Sequence, residues 1–146
     1  MNGLPFIDEH SLQLSAPPTR AWPALLSVLS DIGRATPSAL KHPWGLEPAV
    51  MRGEWRESVQ PGDSLPGFRV AEARACEHLA LEGAHRFSRY ALVFELAQTD
   101  RGSILRALSW AEFPGVKGAL YRAAVIGTRG HRLAVRRMLA SVARRA

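Results

Sequence analysis

The stretch from Pro114 to Ala146 constrains the fold of this chain most, because it combines a helical period with charge of one sign. Small or apolar residues recur in it at steps of three and four, which is the spacing of one helix face. They are Leu120, Ala123, Ala124, Gly127, His131, Ala134, Met138 and Val142. Basic residues occupy the other directions, and no acidic residue follows Glu112. The pattern predicts one long C-terminal helix that lies across the rest of the chain.

The composition indicates one ordinary globular domain. The chain has 146 residues, of which 47% are hydrophobic and 22% are charged, and this length can bury one sizeable core. Eight of its 19 basic residues follow Pro114, and the other 11 are fewer than the 13 acidic residues. The net charge of +6 therefore belongs to the last helix. Cys76 is the single cysteine, which excludes an internal disulfide framework and a site of several thiolates.

The N-terminus carries neither the basic start nor the apolar core of a signal peptide. No apolar run reaches the roughly 18 residues that a membrane span requires. The expectation is a cytoplasmic protein.

The first part of the chain predicts a strand followed by a helix. Residues 7–14 alternate in the manner of a strand. Four large apolar residues then fall at i, i+3, i+4 and i+7, which predicts an amphipathic helix over residues 19–30. They are Trp22, Leu25, Leu26 and Leu29. Gly33 is expected to end this helix.

Residues 36–67 are rich in proline and glycine and give few signals. A threonine before Pro37 predicts a short helix through Lys41, and residues 54–60 are compatible with a short strand. Trp44 and Trp55 leave two interpretations open. They either cover one end of the core or form a movable lid over a pocket.

From Phe68 onward the period changes to two, which predicts four strands. They cover residues 68–76, 78–83, 90–98 and 103–113, and the segment Thr99–Gly102 reads as a hairpin turn. Short links between consecutive strands imply an antiparallel sheet. The parity of the last strand points Leu105, Ala107, Ser109 and Phe113 inward.

The order of strand, helix, irregular segment, antiparallel strands and long helix resembles the helix-grip fold of the START-like superfamily. This superfamily is the SRPBCC group, which includes polyketide cyclases/aromatases, plant ligand carriers and lipid-transfer domains. The segments SAPPTRAWPALLSVL, PGDSLPGFRV, LALEGAHRFSRYALVFEL and LSWAEFPGVKGALYR carry the resemblance. It implies a single START-like domain over residues 1–146 and the fold class α+β. A curved antiparallel sheet would wrap around the C-terminal helix, with an apolar cavity between them.

The small residues on the predicted helix face are compatible with this arrangement for either of two reasons. Two glycines inside a helix cost about 1 kcal/mol each relative to alanine, so a compensating reason is expected. Either the helix approaches the sheet closely, with a kink or break at the segment GTRGH, or the small side chains leave room for a ligand. The residues predicted to line the cavity are Phe68, Val70, Leu81, Tyr90, Leu92, Phe94, Leu105, Ala107, Ser109, Phe113, Leu120, Ala124, Gly127 and His131.

No motif of a known reaction is present, so no catalytic residue, metal or cofactor is predicted. His131 either points into the cavity, where it could offer a hydrogen bond or a proton, or is a buried structural histidine. His85 and the arginines beside it lie either at a solvated turn or at a rim where they steer a ligand. Glu82, Glu95 and Glu112 have outward positions, which disfavours catalysis by a carboxylate. The predicted function is binding of a hydrophobic or amphipathic small molecule or lipid, and a cyclase-like enzyme is the alternative.

Three interpretations of the basic helix remain open. Its arginines could be solvated and paired with acids elsewhere, or attracted to an anionic membrane surface as in a lipid carrier. Nucleic-acid binding is the third, but no recognition motif supports a specific nucleic acid as partner. The oligomeric state is left open by the sequence.

Overall fold

The structure, a computed structural model, describes residues 3–36, 45–56, 58–125 and 130–146, without the side chains of residues 116, 117, 121, 124 and 125. Its described elements are β1 (Phe6–Leu14), α1 (Pro18–Ala35), β2 (Ser64–Leu65), β3 (Phe68–Arg74), β4 (His78–His85), β5 (Ser88–Thr99), β6 (Gly102–Glu112), α2 (Gly115–Val125) and α3 (Gly130–Arg145). The predicted helix at residues 37–41 and Trp44 lie outside the described residues.

The six strands form one antiparallel sheet in the order β1-β6-β5-β4-β3-β2. The sheet is open and curved, and together with the C-terminal helix it gives the predicted α+β helix-grip fold. The predicted turn between β5 and β6 is confirmed, because Thr99 pairs with Gly102 across it. The segment around Arg86 is also a hairpin tip, since His85 pairs with Ser88. Residues 54–60 contain no strand in their described part, and an isolated bridge between Arg52 and Ser64 flanks this segment.

Helix α1 packs on the concave face of the sheet because its apolar face is continuous. Trp22, Leu25, Leu26 and Leu29 are all buried, as their spacing predicts. The helix does not end at Gly33, however, and continues to Ala35. A Cβ at Gly33 would lie 2.7 Å from Cδ2 of Leu65. The glycine therefore serves a close approach between α1 and β2 and does not terminate the helix.

The C-terminal stretch contains two described helices, α2 and α3, and residues 126–129 between them lie outside the described residues. Helix α3 buries Val135, Leu139 and Val142 in the core. The predicted face shares Val142 with this one, but Ala134 is exposed while Val135 and Leu139 are buried, because larger side chains bury more apolar area than alanine. Arg145 fixes the end of α3 to α1, at 2.6 Å from the carboxylate of Asp31 and 2.9 Å from the hydroxyl of Ser27.

Helix α2 is placed differently from the prediction. In one straight helix Leu120 and His131 would share a face, since three turns separate them. Leu120 is instead 68% exposed, while His131 contacts the sheet. Leu120 therefore does not share the buried face of His131, as a single straight helix would require.

Trp55 covers one end of the core, as one of its two interpretations predicts. Its side chain is fully buried, and its indole N–H lies 2.8 Å from the Arg52 carbonyl oxygen and 3.1 Å from that of Ser64. These two bonds hold the segment before β2 against the sheet.

Candidate functional site

The concave face of the sheet is packed at one end and open at the other. At the packed end, Val70, Phe94, Leu105 and Ala107 are buried together with residues of α1 and α3. At the open end the inward positions include Ser109 and Gly83 beside aromatic residues such as Tyr90. The candidate site is the open end.

Two hollows lie at this end, one between the strands and the start of α3 and the other between the sheet, α1 and α3. The strand hollow has a volume of about 230 Å³. It is lined by Ile7, Phe68, His85, Ser88, Tyr90, Ala91, Leu92, Ser109, Trp110, Ala111, Phe113 and His131. The helix hollow has a volume of about 390 Å³. It is lined by Leu29, Ile32, Gly33, Thr36, Leu46, Leu65, Pro66, Gly67, Phe68, Leu81, Tyr90, Leu92, His131, Ala134, Val135 and Met138.

The two hollows share a wall. Phe68, Tyr90, Leu92 and His131 line both of them, so the hollows adjoin along β3, β5 and the first turn of α3. The rings of Phe68 and Tyr90 meet edge to face with their centroids 5.1 Å apart. The shared wall is therefore mostly aromatic and aliphatic, with one imidazole.

The predicted lining residues divide into three groups. The structure places Phe68, Leu81, Tyr90, Leu92, Ser109, Phe113 and His131 at one hollow or both. It places Val70, Phe94, Leu105 and Ala107 in the packed core, and Leu120 at the surface of α2. The side chain of Ala124 and the whole of Gly127 lie outside the described residues.

A carboxylate flanked by two imidazoles lies beside the strand hollow. Oδ1 of Asp8 is 3.2 Å from Nε2 of His131, and Oδ2 of Asp8 is 3.1 Å from Nε2 of His10. Side-chain exposures are 12% for Asp8, 12% for His10 and 26% for His131. A carboxylate accepts hydrogen bonds, so both Nε2 atoms carry the hydrogen that they donate to Asp8.

Ser109 completes this group, with its Oγ 3.2 Å from Nε2 of His131. Serine, histidine and aspartate also form the nucleophilic triad, but there the acid and the hydroxyl contact opposite nitrogens of the ring. Here both oxygens face the same nitrogen. In this geometry His131 cannot pass a proton from Ser109 while Asp8 orients it, so the group is not a triad.

The sequence analysis did not identify Asp8 and His10 as site residues, although the alternation along β1 indicates that both face inward. The register pairs Asp8 with Ser109, His10 with Ala107 and Leu12 with Leu105. Leu12 and Leu14 share the parity of Asp8 and His10, so the apolar end of β1 shows which face of this strand turns inward.

On the opposite wall of the strand hollow, His85 is held in one tautomer. The Phe87 N–H donates to its Nδ1 at 3.0 Å, so Nε2 carries the hydrogen and faces Ser88 Oγ at 3.1 Å. Burial lowers the pKa of His85 below its ordinary value. His85 is therefore a neutral hydrogen-bonding group at this rim.

Tyr90 is fixed by the turn before β3. Its hydroxyl donates to the Gly67 carbonyl oxygen at 2.7 Å. Gly83 permits this approach, because a Cβ there would overlap the Gly67 carbonyl and lie 2.8 Å from the Tyr90 ring. The turn at Gly67 and the tyrosine thus form one side of the helix hollow, and the tyrosine also lines the strand hollow.

The glutamates that were predicted to face outward do so. Glu95 and Glu9 both pair with Arg106, Glu82 pairs with Arg69, and Glu112 pairs with Arg89. None of these pairs lines the strand or helix hollow. In the described part of the chain, no group of three or more His, Cys, Asp or Glu side chains has the arrangement of a metal site.

Comparison with known proteins supports the fold and leaves the chemistry open. No protein-family model matches the chain, and no curated protein matches it in sequence. A protein from Arthrobacter aurescens has a similar structure, with a TM-score of 0.57 at 13% identity over 94% of this chain and 86% of that chain. Mll3558 from Rhizobium loti has a TM-score of 0.56 at 15% identity over 95% of each chain. CV1439 from Chromobacterium violaceum has a TM-score of 0.55 at 17% identity over 95% of this chain and 96% of that chain.

These identities are low enough that the likeness shows the fold alone. Among the described residues, no helix combines the length and apolarity needed to cross a membrane.

Proposed function

We propose that this protein binds a hydrophobic or amphipathic small molecule, such as a lipid or an aromatic compound, in the two adjoining hollows. The observation that carries the proposal is their shared wall of Phe68, Tyr90, Leu92 and His131 between the sheet and α3. Hollows of about 230 and 390 Å³ that adjoin are comparable with small-molecule sites, which span roughly 300–1,000 Å³. An apolar wall with a few convergent polar groups is typical of such sites.

The helix-grip fold and the sequence segments quoted above together support assignment to the START-like ligand-binding superfamily. Such an assignment agrees with a carrier role. In that role, the apolar end of a ligand would lie against Leu81 and Met138 in the helix hollow. The polar end would reach Ser109 and His131 in the strand hollow. The ligand would thus be oriented by the different chemistry of the two ends.

A cyclase-like enzyme is the second candidate, and one observation favours it. His131 borders both hollows and has a second titratable group, Asp8, at hydrogen-bond distance. A histidine oriented by a carboxylate can serve as a general base. Turnover of a ligand that binds to the wild-type protein, and loss of turnover but not of binding in the His131→Gln variant, would favour the enzyme over the carrier.

A surface role of α3 is a third element of the proposal. Arg132, Arg136 and Arg137 are exposed, and none has an acidic partner within ion-pair distance in the described part of the chain. Leu133, which is 51% exposed, lies one turn from Arg136 and Arg137. This combination suits weak contact with an anionic membrane surface, from which a carrier could collect a lipid.

The binding proposal is tested by titrating the protein with N-phenyl-1-naphthylamine, whose fluorescence rises in apolar surroundings. The Leu92→Trp variant enlarges a side chain of the shared wall, so its affinity for the probe should fall at least about tenfold, which corresponds to roughly 1.4 kcal/mol. The matched control is Leu108→Trp, the same exchange on the outward face of the neighbouring strand. Equal affinities in both variants and in the wild type would contradict binding in the hollows.

A further inference from the structure

A cleft beside α1 lies apart from the two hollows. It has a volume of about 370 Å³ and lies between α1 and the segment before β2. Its lining includes Ser27, Ser30, Asp31, Arg34, Trp55 and Arg56. None of its described lining residues also lines the strand hollow or the helix hollow. A ligand in this space, the α1 cleft, would therefore bind independently of a ligand in the hollows.

The α1 cleft carries an excess of positive charge. The carboxylate of Asp31 is paired with Arg145 of α3 at 2.6 Å, so these two charges cancel. The side chains of Arg34 and Arg56 are exposed, and neither has an ion-pair or hydrogen-bond partner among the described residues. Two positive charges at the cleft are therefore left uncompensated.

The dipole of α1 accounts for only one of these arginines. Arg34 lies in the last turn of α1, where a basic side chain interacts favourably with the end of the helix. Arg56 belongs to the segment before β2 and makes no such contact in the part of the chain that the structure describes. Like charges that line one cleft repel each other, so an anion bound between them would stabilise both.

A buried hydroxyl in the same lining has no partner. Ser30 is 3% exposed, and its Oγ makes no hydrogen bond within the described ranges. Ser141, by contrast, donates to the carbonyl four residues back, that of Arg137, at 3.0 Å. A buried hydroxyl without a partner is costly, so an acceptor supplied by a ligand would be stabilising. Rotation about the single χ1 torsion of Ser30 can turn its hydroxyl toward the cleft.

We propose that the α1 cleft binds a phosphoryl group, held by the guanidinium groups of Arg34 and Arg56 and by the hydroxyl of Ser30. A phosphoryl group offers three strong acceptor oxygens in different directions, and the planar fork of arginine matches their geometry. A carboxylate has fewer oxygens, all in one plane, and fits three separate donors less well. Inorganic phosphate and the headgroup of a phospholipid share this chemistry. The assignment goes beyond the proposed function and does not rest on binding in the hollows.

The first test is isothermal titration calorimetry with inorganic phosphate, with the ionic strength kept constant by sodium chloride. The wild type should bind phosphate in a saturable manner. Arg34→Gln/Arg56→Gln should weaken binding by at least about tenfold, because hydrogen bonds between charged groups are the stronger kind. The matched control is Arg20→Gln/Arg52→Gln, which removes the same charge from exposed positions of the same two segments outside the cleft lining. The control should bind as the wild type does.

Ser30→Ala separates a binding role of this residue from a structural one. It should weaken binding of the phosphoryl probe by about fivefold, the effect of one hydrogen bond. Its free energy of unfolding in phosphate-free urea solutions should not fall, because the hydroxyl has no partner to lose among the described residues. Unchanged affinity in folded Ser30→Ala protein would overturn the assignment.

Co-sedimentation with vesicles of phosphatidylcholine and phosphatidic acid distinguishes the two sources of the phosphoryl group. Weaker binding of Arg34→Gln/Arg56→Gln than of its control would support a lipid headgroup if it occurs with vesicles alone, and free phosphate if it occurs in calorimetry alone. Weaker binding in both assays would support both sources. Equal binding of the two double variants in both assays would overturn the proposal, as would failure of the wild type to bind either probe. Competition by acetate as strong as that by phosphate would overturn the choice of a phosphoryl group.

Discussion

Replacing Gly83 by alanine tests the close approach of the Gly67 turn to β4, which holds Tyr90 at the wall shared by both hollows. Gly83 pairs with Tyr90 across β4 and β5. An added Cβ would overlap the Gly67 carbonyl and lie 2.8 Å from Cε2 of Tyr90. Since carbon atoms pack at about 3.5–4.0 Å, the ring would have to move away by about 1 Å, and the overlapped carbonyl of the turn would have to move further.

The expected loss of stability follows from two contributions. Overpacking a tight site costs about 1–3 kcal/mol. The hydrogen bond from the Tyr90 hydroxyl to the Gly67 carbonyl, 2.7 Å long, would also be strained or lost, at a further cost of about 1 kcal/mol. A loss of about 3 kcal/mol would lower the Tm by roughly 6–12 °C in a domain of this size.

Urea unfolding followed by tryptophan fluorescence measures this change, since Trp22 and Trp55 are buried in the core. Tyr90→Phe serves as the control, because it removes the hydroxyl alone and should cost about 1 kcal/mol. If Gly83→Ala unfolds within about 0.5 kcal/mol of the wild type, the approach of the turn to β4 is not as close as described, and the reasoning is refuted.

Three further predictions concern His85, Trp55 and the outward face of α3. Because burial lowers the pKa of His85, the unfolded chain binds a proton at this residue more readily than the folded chain does. The free energy of unfolding should therefore fall as the pH drops below the ordinary histidine pKa of about 6.5. The urea midpoint of His85→Phe should depend less on pH than that of the wild type. Trp55→Phe should lower the free energy of unfolding in urea by about 1–3 kcal/mol, because the carbonyls of Arg52 and Ser64 lose their shared donor. A decrease below about 0.5 kcal/mol would contradict this reasoning. In co-sedimentation, the double variant Arg136→Gln/Arg137→Gln should bind vesicles containing phosphatidylglycerol at least about tenfold more weakly than the wild type. The control Arg74→Gln/Arg101→Gln removes an equal charge at exposed positions on the strands and their turns. It should bind the vesicles as tightly as the wild type.

The periodicity of the sequence predicted most of the individual strands and helices, because each of these elements has one buried face. The two-residue alternation of β5 and β6 and the three-to-four spacing in α1 report that face directly. Gly33 shows the limit of such local signals. A glycine at a helix end and a glycine at a tight helix–strand contact look the same in sequence, and the position of Leu65 alone distinguishes them.

The candidate site was predictable in part. The parity of the strands correctly brought Tyr90, Leu92 and Ser109 to one face, and the structure adds that these residues lie at its open end. Parity does not tell which inward positions are packed by neighbouring elements. Val70 and Leu105 have the same pattern as the residues at the hollows, yet α1 and α3 bury them in the core.

The sequence by itself determined the inward faces of the strands and the concentration of positive charge after Pro114, because these properties depend on local period and composition. The fold class followed from the order of the elements and the resemblance that this order carries. Tertiary structure alone decided that Asp8, Ser109 and His131, which lie on β1, β6 and α3, meet at one point. Such a meeting depends on register and on the direction in which the helix crosses the sheet. Neither is encoded in any short stretch of the chain, since both follow from the packing of all the elements together.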